Sequence, residues 1–189
     1  MAMKDTAPDI FTKQGCHWSL RGSLLAADTL IKFIERERKI EMPEIVITKM
    51  AYSDVPRSPD NDLLNSINLI WPVAKERFCY PEYHYSPGDK KTKPKTVFIG
   101  DSFVWQWIDQ GVMENATSDW EFWYYFGQVN DQKTRGGAAA TALDNYDWPK
   151  VMLDADCVVV VFTPMNFFRF ADSTMFIEKM YDYFYPAQK

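Results

Sequence analysis

The chain has 189 residues with 21 Lys and Arg against 26 Asp and Glu, a net charge of -5. Its 47% hydrophobic and 16% aromatic content excludes a disordered chain, and the acidic balance argues against a nucleic-acid binder, which would carry a basic face. No apolar run approaches the roughly 18 residues of a membrane span, and MAMKDTAPDIF lacks the apolar core of a secretory leader.

Residues 1 to 18 carry no clear element. From Arg21 to Lys39, Leu24, Leu25, Ile31 and Ile34 recur at helical spacing, ERERK forms the solvated end, and Pro43 stops the helix. EIVIT (44–48) reads as a short strand. Residues 49 to 60 are expected to hold at most one short element among turn signals. A second helix is expected over Asp62 to Trp71, ended by Pro72, and an irregular stretch over 73–95 that contains YPEYHYSPG and the solvated run DKKTKPK.

From Lys95 the pattern sharpens. TVFIG predicts a strand, Phe103 to Met113 a helix, Phe122 to Phe126 an aromatic strand, and GQVNDQKTRGG a polar loop. Ala138 to Leu153 is expected to be partly helical. CVVVVF (157–162) reads as a strand covered on both faces, and Ser173 to Tyr185 as a closing amphipathic helix. This alternation predicts an α/β fold, a three-layer sandwich with a mostly parallel sheet, in a single domain over 1–189.

Ser102 follows TVFIG where the strand turns into a helix. In an open parallel sheet, ligands bind outside the carboxyl ends of the strands, and the next helix offers free backbone N–H groups. A nucleophile belongs in such a place, because its attack generates an oxyanion. Helix capping by Ser102 or Asp101 is the competing explanation. The chain has two histidines, His17 and His84. The second lies in a Tyr- and Pro-rich stretch without a nucleophile pattern and reads as a surface or packing residue. Cys16, Cys79 and Cys157 are too scattered for a disulfide framework or a zinc site, and no metal or cofactor is expected. Cys16 beside His17 raises a Cys nucleophile as a rival, disfavoured because adjacent side chains rarely face one another productively.

Val97-Phe98-Ile99-Gly100-Asp101-Ser102-Phe103 resembles the nucleophile block of the SGNH (GDSL-type) hydrolase superfamily. Cys16-His17-Trp18-Ser19, with Arg21-Gly22 and Leu24-Leu25-Ala26-Ala27, resembles the H-W-S/N-x-x-G-x-x-x-A-A segment of its alginate O-acetyltransferase-like branch, where the His block precedes the Ser block. Asp156-Cys157-Val158-Val159-Val160-Val161 is a third point of similarity. The resemblance spans roughly residues 11 to 185.

The resemblance implies a flavodoxin-like sheet and an acyl-enzyme at Ser102 with His17 as general base. It implies an oxyanion hole from the Ser102 amide, Gly136 or Gly137 (Gly127 being a weaker candidate) and Asn166. Asp101, Trp18 and Arg169 become candidate substrate contacts, although Arg169 also reads as a cap of the C-terminal segment. The implied partner is an acylated carbohydrate or an acyl donor protein, and the implied location is extracellular or in the cell envelope. Proteins of that branch carry α/β structure ahead of the His block. The chain is therefore expected to be the later part of a longer domain, without its N-terminal strands, with an exposed apolar edge and homodimerisation as consequences.

One position departs from the pattern. The branch has Asp two residues before the His, and here that residue is Gly15. Three alternatives follow: a Ser–His dyad held by a backbone carbonyl, a carboxylate such as Asp5, Asp9 or Asp54 brought in from elsewhere, or a weakened or inactive relative that binds carbohydrate.

Overall fold

The computed structural model describes residues 10–67, 75–134, 141–168 and 174–186. Contacts divide the chain into two compact units, Met1–Thr92 and Lys93–Lys189.

The first unit is one long helix and a two-stranded antiparallel sheet. Helix α1 (Leu20–Arg38) begins at Ser19, whose hydroxyl accepts from the Gly22 amide at 2.9 Å. It buries Leu24, Ala27, Ile31 and Ile34 and packs on β2 (Phe78–Tyr85). Its end turns through Lys39 in the left-handed region, a stop that acts before Pro43 is reached.

Strand β1 (Ile45–Ser53) runs on past the predicted EIVIT and pairs with β2 from Ile45↔Tyr85 to Ser53↔Phe78. The stretch read as irregular over 73–95 thus contains a strand. Pro81 masked it, yet Pro81 is tolerated because a two-stranded ribbon leaves half its backbone amides unpaired. Between the strands lies the short helix α2 (Asp62–Ser66). The remainder of the predicted 62–71 helix falls largely outside the described residues.

The second unit is a three-layer α/β arrangement. Its five-stranded sheet has the order β6-β5-β4-β3-β7, with β3 (Thr96–Gly100) central among β4 (Trp120–Tyr124), β5 (Gln128–Asp131), β6 (Thr141–Ala142) and β7 (Cys157–Val161). Alternation along the strands sends Val97, Ile99, Trp123 and Val129 to one face, where they pack with Leu143, Trp148, Val151 and Met180. These come from the 143–154 segment, including α5 (Trp148–Asp154), and from α6 (Thr174–Phe184). The other face holds Phe98 and Phe122 against Trp107 and Trp105 of α3 (Phe103–Asp109), which α4 (Val112–Ala116) follows. Part of the aromatic surplus is core: Trp107, Trp120, Trp123 and Phe122 are buried.

The sheet is mostly parallel as expected: β3 pairs in parallel with β4 and β7, and β5 alone is reversed, antiparallel to both β4 and β6. Two expectations change. The polar loop GQVNDQKTRGG contains β5, reached by a tight turn in which Tyr125 and Phe126 both adopt positive φ. Finally, β7 is not covered on both faces. Val158 is 42% and Val160 54% exposed on a strand that ends the sheet, so an unbroken β-branched run marks an edge here.

Candidate functional site

In the first unit the loop before α1 and the segment after β1 clasp one another. The Thr12 hydroxyl donates to the Asp60 carbonyl at 2.6 Å, the Leu64 amide to the Gln14 carbonyl at 3.0 Å, and the Leu20 amide to Asp60 Oδ1 at 3.2 Å. Gly15 sits at the tightest point. A Cβ there would lie 2.9 Å from both the Asp60 carbonyl oxygen and the Thr12 hydroxyl. Gly22 has a similar reason: a Cβ would collide with the Ile10 carbonyl, which the Ser19 amide holds at 2.6 Å.

The clasp brings Asp62 to His17. Asp62 Oδ2 is in direct hydrogen-bond contact with His17 Nδ1, and Asp62 Oδ1 accepts the Cys16 amide at 2.9 Å. The ring nitrogen that an orienting acid should hold is thus held, by a carboxylate 45 positions along the chain. Of the three carboxylates expected as substitutes, Asp54 lies in an exposed bend, and Asp5 and Asp9 fall outside the described residues. Partial burial works against ionisation of Asp62, but the Cys16 amide and the His17 ring together hold its carboxyl below the usual carboxylate range. Both partners are about a quarter exposed, so the ring is reachable.

Cys16 Sγ lies 3.5 Å from His17 Nδ1 and 3.5 Å from Asp62 Oδ2. Adjacent side chains do meet here, contrary to expectation. Burial and then the Asp62 charge push the thiol pKa up, however, and a nucleophilic Cys needs the reverse. Trp18 is half-buried and lines an open apolar cleft of about 590 Å³ with Ile10, Phe11, Leu25, Leu30 and Phe33. His84 is exposed on β2, opposite Val46, and is a surface residue on a strand.

Asp60, two residues before Asp62, is a buried carboxylate whose Oδ1 accepts the Leu20 amide. Burial raises its pKa to about 6, with the Leu20 amide and the Tyr80 hydroxyl offsetting part of the cost. A carboxyl whose folded pKa lies above its unfolded value of 3.8 adds stability at acid pH and loses it as pH rises through about 6. Between pH 4.5 and 7.5, Asp60→Asn is therefore expected to remove a decline of about 2 kcal/mol. Urea midpoints of both proteins at the two pH values measure it. Parallel midpoints in wild type and variant would contradict the assignment.

In the second unit Ser102 occupies the turn from β3 into α3, at the carboxyl end of the central strand. Gly100 permits it: a Cβ there would run into the Val161 carbonyl of β7. The capping explanation for Ser102 is not met, because its side chain makes no cap bond and Asp101 Oδ1 instead accepts the Phe103 amide at 3.1 Å. Asp101 Oδ2 accepts three further bonds, from the Thr163 amide and hydroxyl at 2.9 Å and from Asn166 Nδ2 at 3.0 Å.

Asp101 is 0% exposed and fully engaged, which rules out the expected substrate contact. It is instead a strut joining the Ser102 turn to the turn after β7, and it brings Asn166 to the serine block. The Asn166 amide group keeps its second N–H for another acceptor. Gly127 is not an oxyanion donor, since its amide closes a turn on the Tyr124 carbonyl at 3.0 Å. Gly136, Gly137 and Arg169 lie outside the described residues.

The three cysteines are free, and among the described residues no helix is long and apolar enough to cross a membrane. No protein-family model and no curated protein matches the chain. Among solved structures, the chain is similar to the O-acetyltransferase domain of Pseudomonas putida AlgJ, at 16% identity and a TM-score of 0.41. The match covers 85% of this chain and 54% of that one, so the chain spans about half the length of the domain it matches.

Proposed function

We propose that the chain is a serine-dependent acyl-ester enzyme, an O-acetyltransferase or esterase acting on an extracellular or cell-envelope polysaccharide. The observation that carries this reading is the Asp62 carboxylate on His17 Nδ1. Gly15 was the ground for an inactive carbohydrate-binding relative, and a carboxylate at the ring nitrogen counts against that alternative.

The reaction follows from the residues. With Nδ1–H donated to Asp62, the His17 tautomer leaves Nε2 as a base. Ser102 Oγ attacks the ester carbonyl, and its proton passes to His17 Nε2. The imidazolium so formed is stabilised by the ionised Asp62. The oxyanion of the tetrahedral intermediate takes donors from the Ser102 amide and the remaining Asn166 N–H, each worth about 10²–10³ in rate. Collapse breaks the ester C–O bond, and the leaving oxygen takes the proton from His17. A sugar hydroxyl or water then repeats the sequence on the acyl-enzyme, giving transfer or hydrolysis. The apolar cleft beside Trp18 is a place for the uncharged part of a donor or acceptor.

A fluorophosphonate probe tests the reading. Covalent labelling of the native chain, absent in Ser102→Ala and strongly slowed in His17→Ala, is expected. Failure of the native chain to label, or equal labelling of Ser102→Ala, would refute it.

A further inference from the structure

The mechanism leaves one side chain of the His17 cluster unused, the Cys16 thiol. Three different donor types converge there: Cys16 Sγ, His17 Nδ1 and Asp62 Oδ2, all within 4.8 Å of one another. Sulfur, imidazole nitrogen and carboxylate oxygen are the ligand set of zinc, which is bound tetrahedrally at about 2.3 Å to sulfur and about 2.0–2.2 Å to nitrogen and oxygen. Tetrahedral angles at those bond lengths place sulfur about 3.5–3.6 Å from each of the other two donors. Both observed sulfur separations are 3.5 Å.

The cluster is also built rather than adventitious. Cys16 and His17 are consecutive, and the Cys16 amide fixes Asp62 Oδ1, which turns Oδ2 toward the other two donors. Entry is open, because Cys16 is exposed. The movement required is a parting of the His17–Asp62 pair to about 3.4 Å, the edge of the same tetrahedron.

We propose that Cys16, His17 and Asp62 form a three-ligand site for zinc, with water or an exogenous ligand in the fourth position. Binding converts the thiol to thiolate and releases one proton to solvent. The His17 proton resides on Nε2, because Nδ1 gives its lone pair to the metal. Thiolate and carboxylate together neutralise the dication. The scattered cysteines conceal this site in the sequence, since it uses one of them with a carboxylate from another loop.

A consequence rests on the acyl-transfer reading. A ring with Nε2 protonated and Nδ1 on zinc cannot take the Ser102 proton, so zinc switches the base off, and removal of zinc restores it.

Co²⁺ titrated into the full chain, previously stripped with a chelator, tests the site without reference to activity. The expected result is a near-ultraviolet thiolate-to-cobalt charge-transfer band with the visible bands of tetrahedral cobalt, both removed by equimolar Zn²⁺. Cys16→Ser should lose the charge-transfer band, and Asp62→Asn should weaken binding by at least about tenfold. Absence of the band from the native chain, or its survival in Cys16→Ser, overturns the proposal. The two readings separate in fluorophosphonate labelling. Zinc should block labelling of the native chain and leave labelling of Cys16→Ser unaffected. Cobalt binding in a zinc-free chain that does not label would sink the acyl-transfer reading and leave the metal site standing.

Discussion

On the proposed acyl-transfer reading, Asp62→Asn is expected to lower ester turnover by roughly four orders of magnitude, although it changes one heavy atom. The direction follows from how Asp62 is held. Its Oδ1 accepts the Cys16 amide at 2.9 Å, and an asparagine would keep its carbonyl oxygen on that donor. The NH₂ group then faces His17 Nδ1 and donates to it. Nδ1 becomes the acceptor, the proton moves to Nε2, and the ring presents N–H where a base is needed. The variant thus enforces the unproductive tautomer rather than merely removing a charge.

Since Asp62 is held below the usual carboxylate range, the native dyad keeps its acid ionised throughout the neutral region. The loss should therefore persist across pH 6 to 8. kcat/KM on an activated acetyl ester, alongside the fluorophosphonate labelling rate, measures it. Returning the acid to the position used by the resembled branch, as Gly15→Asp on the Asp62→Asn background, is expected not to restore activity. A Cβ at residue 15 would stand 2.9 Å from the Asp60 carbonyl and force the clasp apart. A loss below tenfold in Asp62→Asn would remove Asp62 from the mechanism. Full recovery in the double variant would remove the steric account of Gly15.

The same pair of residues marks the border of what the sequence could disclose. His17 and Ser102 could be named as candidates because each sits in a contiguous block whose local chemistry is written in neighbouring letters: a strand, a glycine and a serine in one, a capped helix start in the other. Asp62 was not, because its partnership depends on two loops approaching until only a glycine fits between them. The one local hint was a carboxylate-rich turn, Ser58-Pro59-Asp60-Asn61-Asp62, opening a helix.

The fold divides along the same line. Helix α1 was readable from its apolar spacing, and β3 and β7 from their β-branched runs. Strand β2 was hidden behind Pro81 and a run of polar and aromatic residues, because a two-stranded ribbon needs no apolar alternation on its open side. Strand β5 was hidden in GQVNDQK, because its entry turn uses positive φ at Tyr125 and Phe126 rather than at a glycine. Whether a valine run is central or terminal is a property of the sheet. CVVVV has the composition of a central strand and the exposure of an edge.

Asp101 carries the second large effect, and it is a structural one with a catalytic shadow. Its carboxylate is completely buried, has no cationic partner among the described residues, and is sustained by four donors from three residues. Asp101→Ala deletes the acceptor and leaves the Phe103 amide, the Thr163 amide and the Asn166 side chain facing a void, whereas the Thr163 hydroxyl can rotate away. Each stranded buried donor costs about 1–3 kcal/mol, so with three of them a loss of at least roughly 3 kcal/mol is expected.

Asp101→Asn should be intermediate. One oxygen can still serve the Thr163 and Asn166 side, while its NH₂ confronts the Phe103 amide and forfeits the helix cap. Urea unfolding followed by tryptophan fluorescence reads chiefly the second unit, because five of the seven tryptophans, Trp105, Trp107, Trp120, Trp123 and Trp148, belong to it. The catalytic shadow arises because the strut sets both the Ser102 turn and Asn166, two of the oxyanion donors proposed above. In the folded Asn variant, kcat should fall with KM nearly unchanged, since those donors act on charge that develops only in the transition state. An Asp101→Ala chain as stable as wild type but with KM sharply raised would reinstate Asp101 as a substrate contact and dismiss the strut.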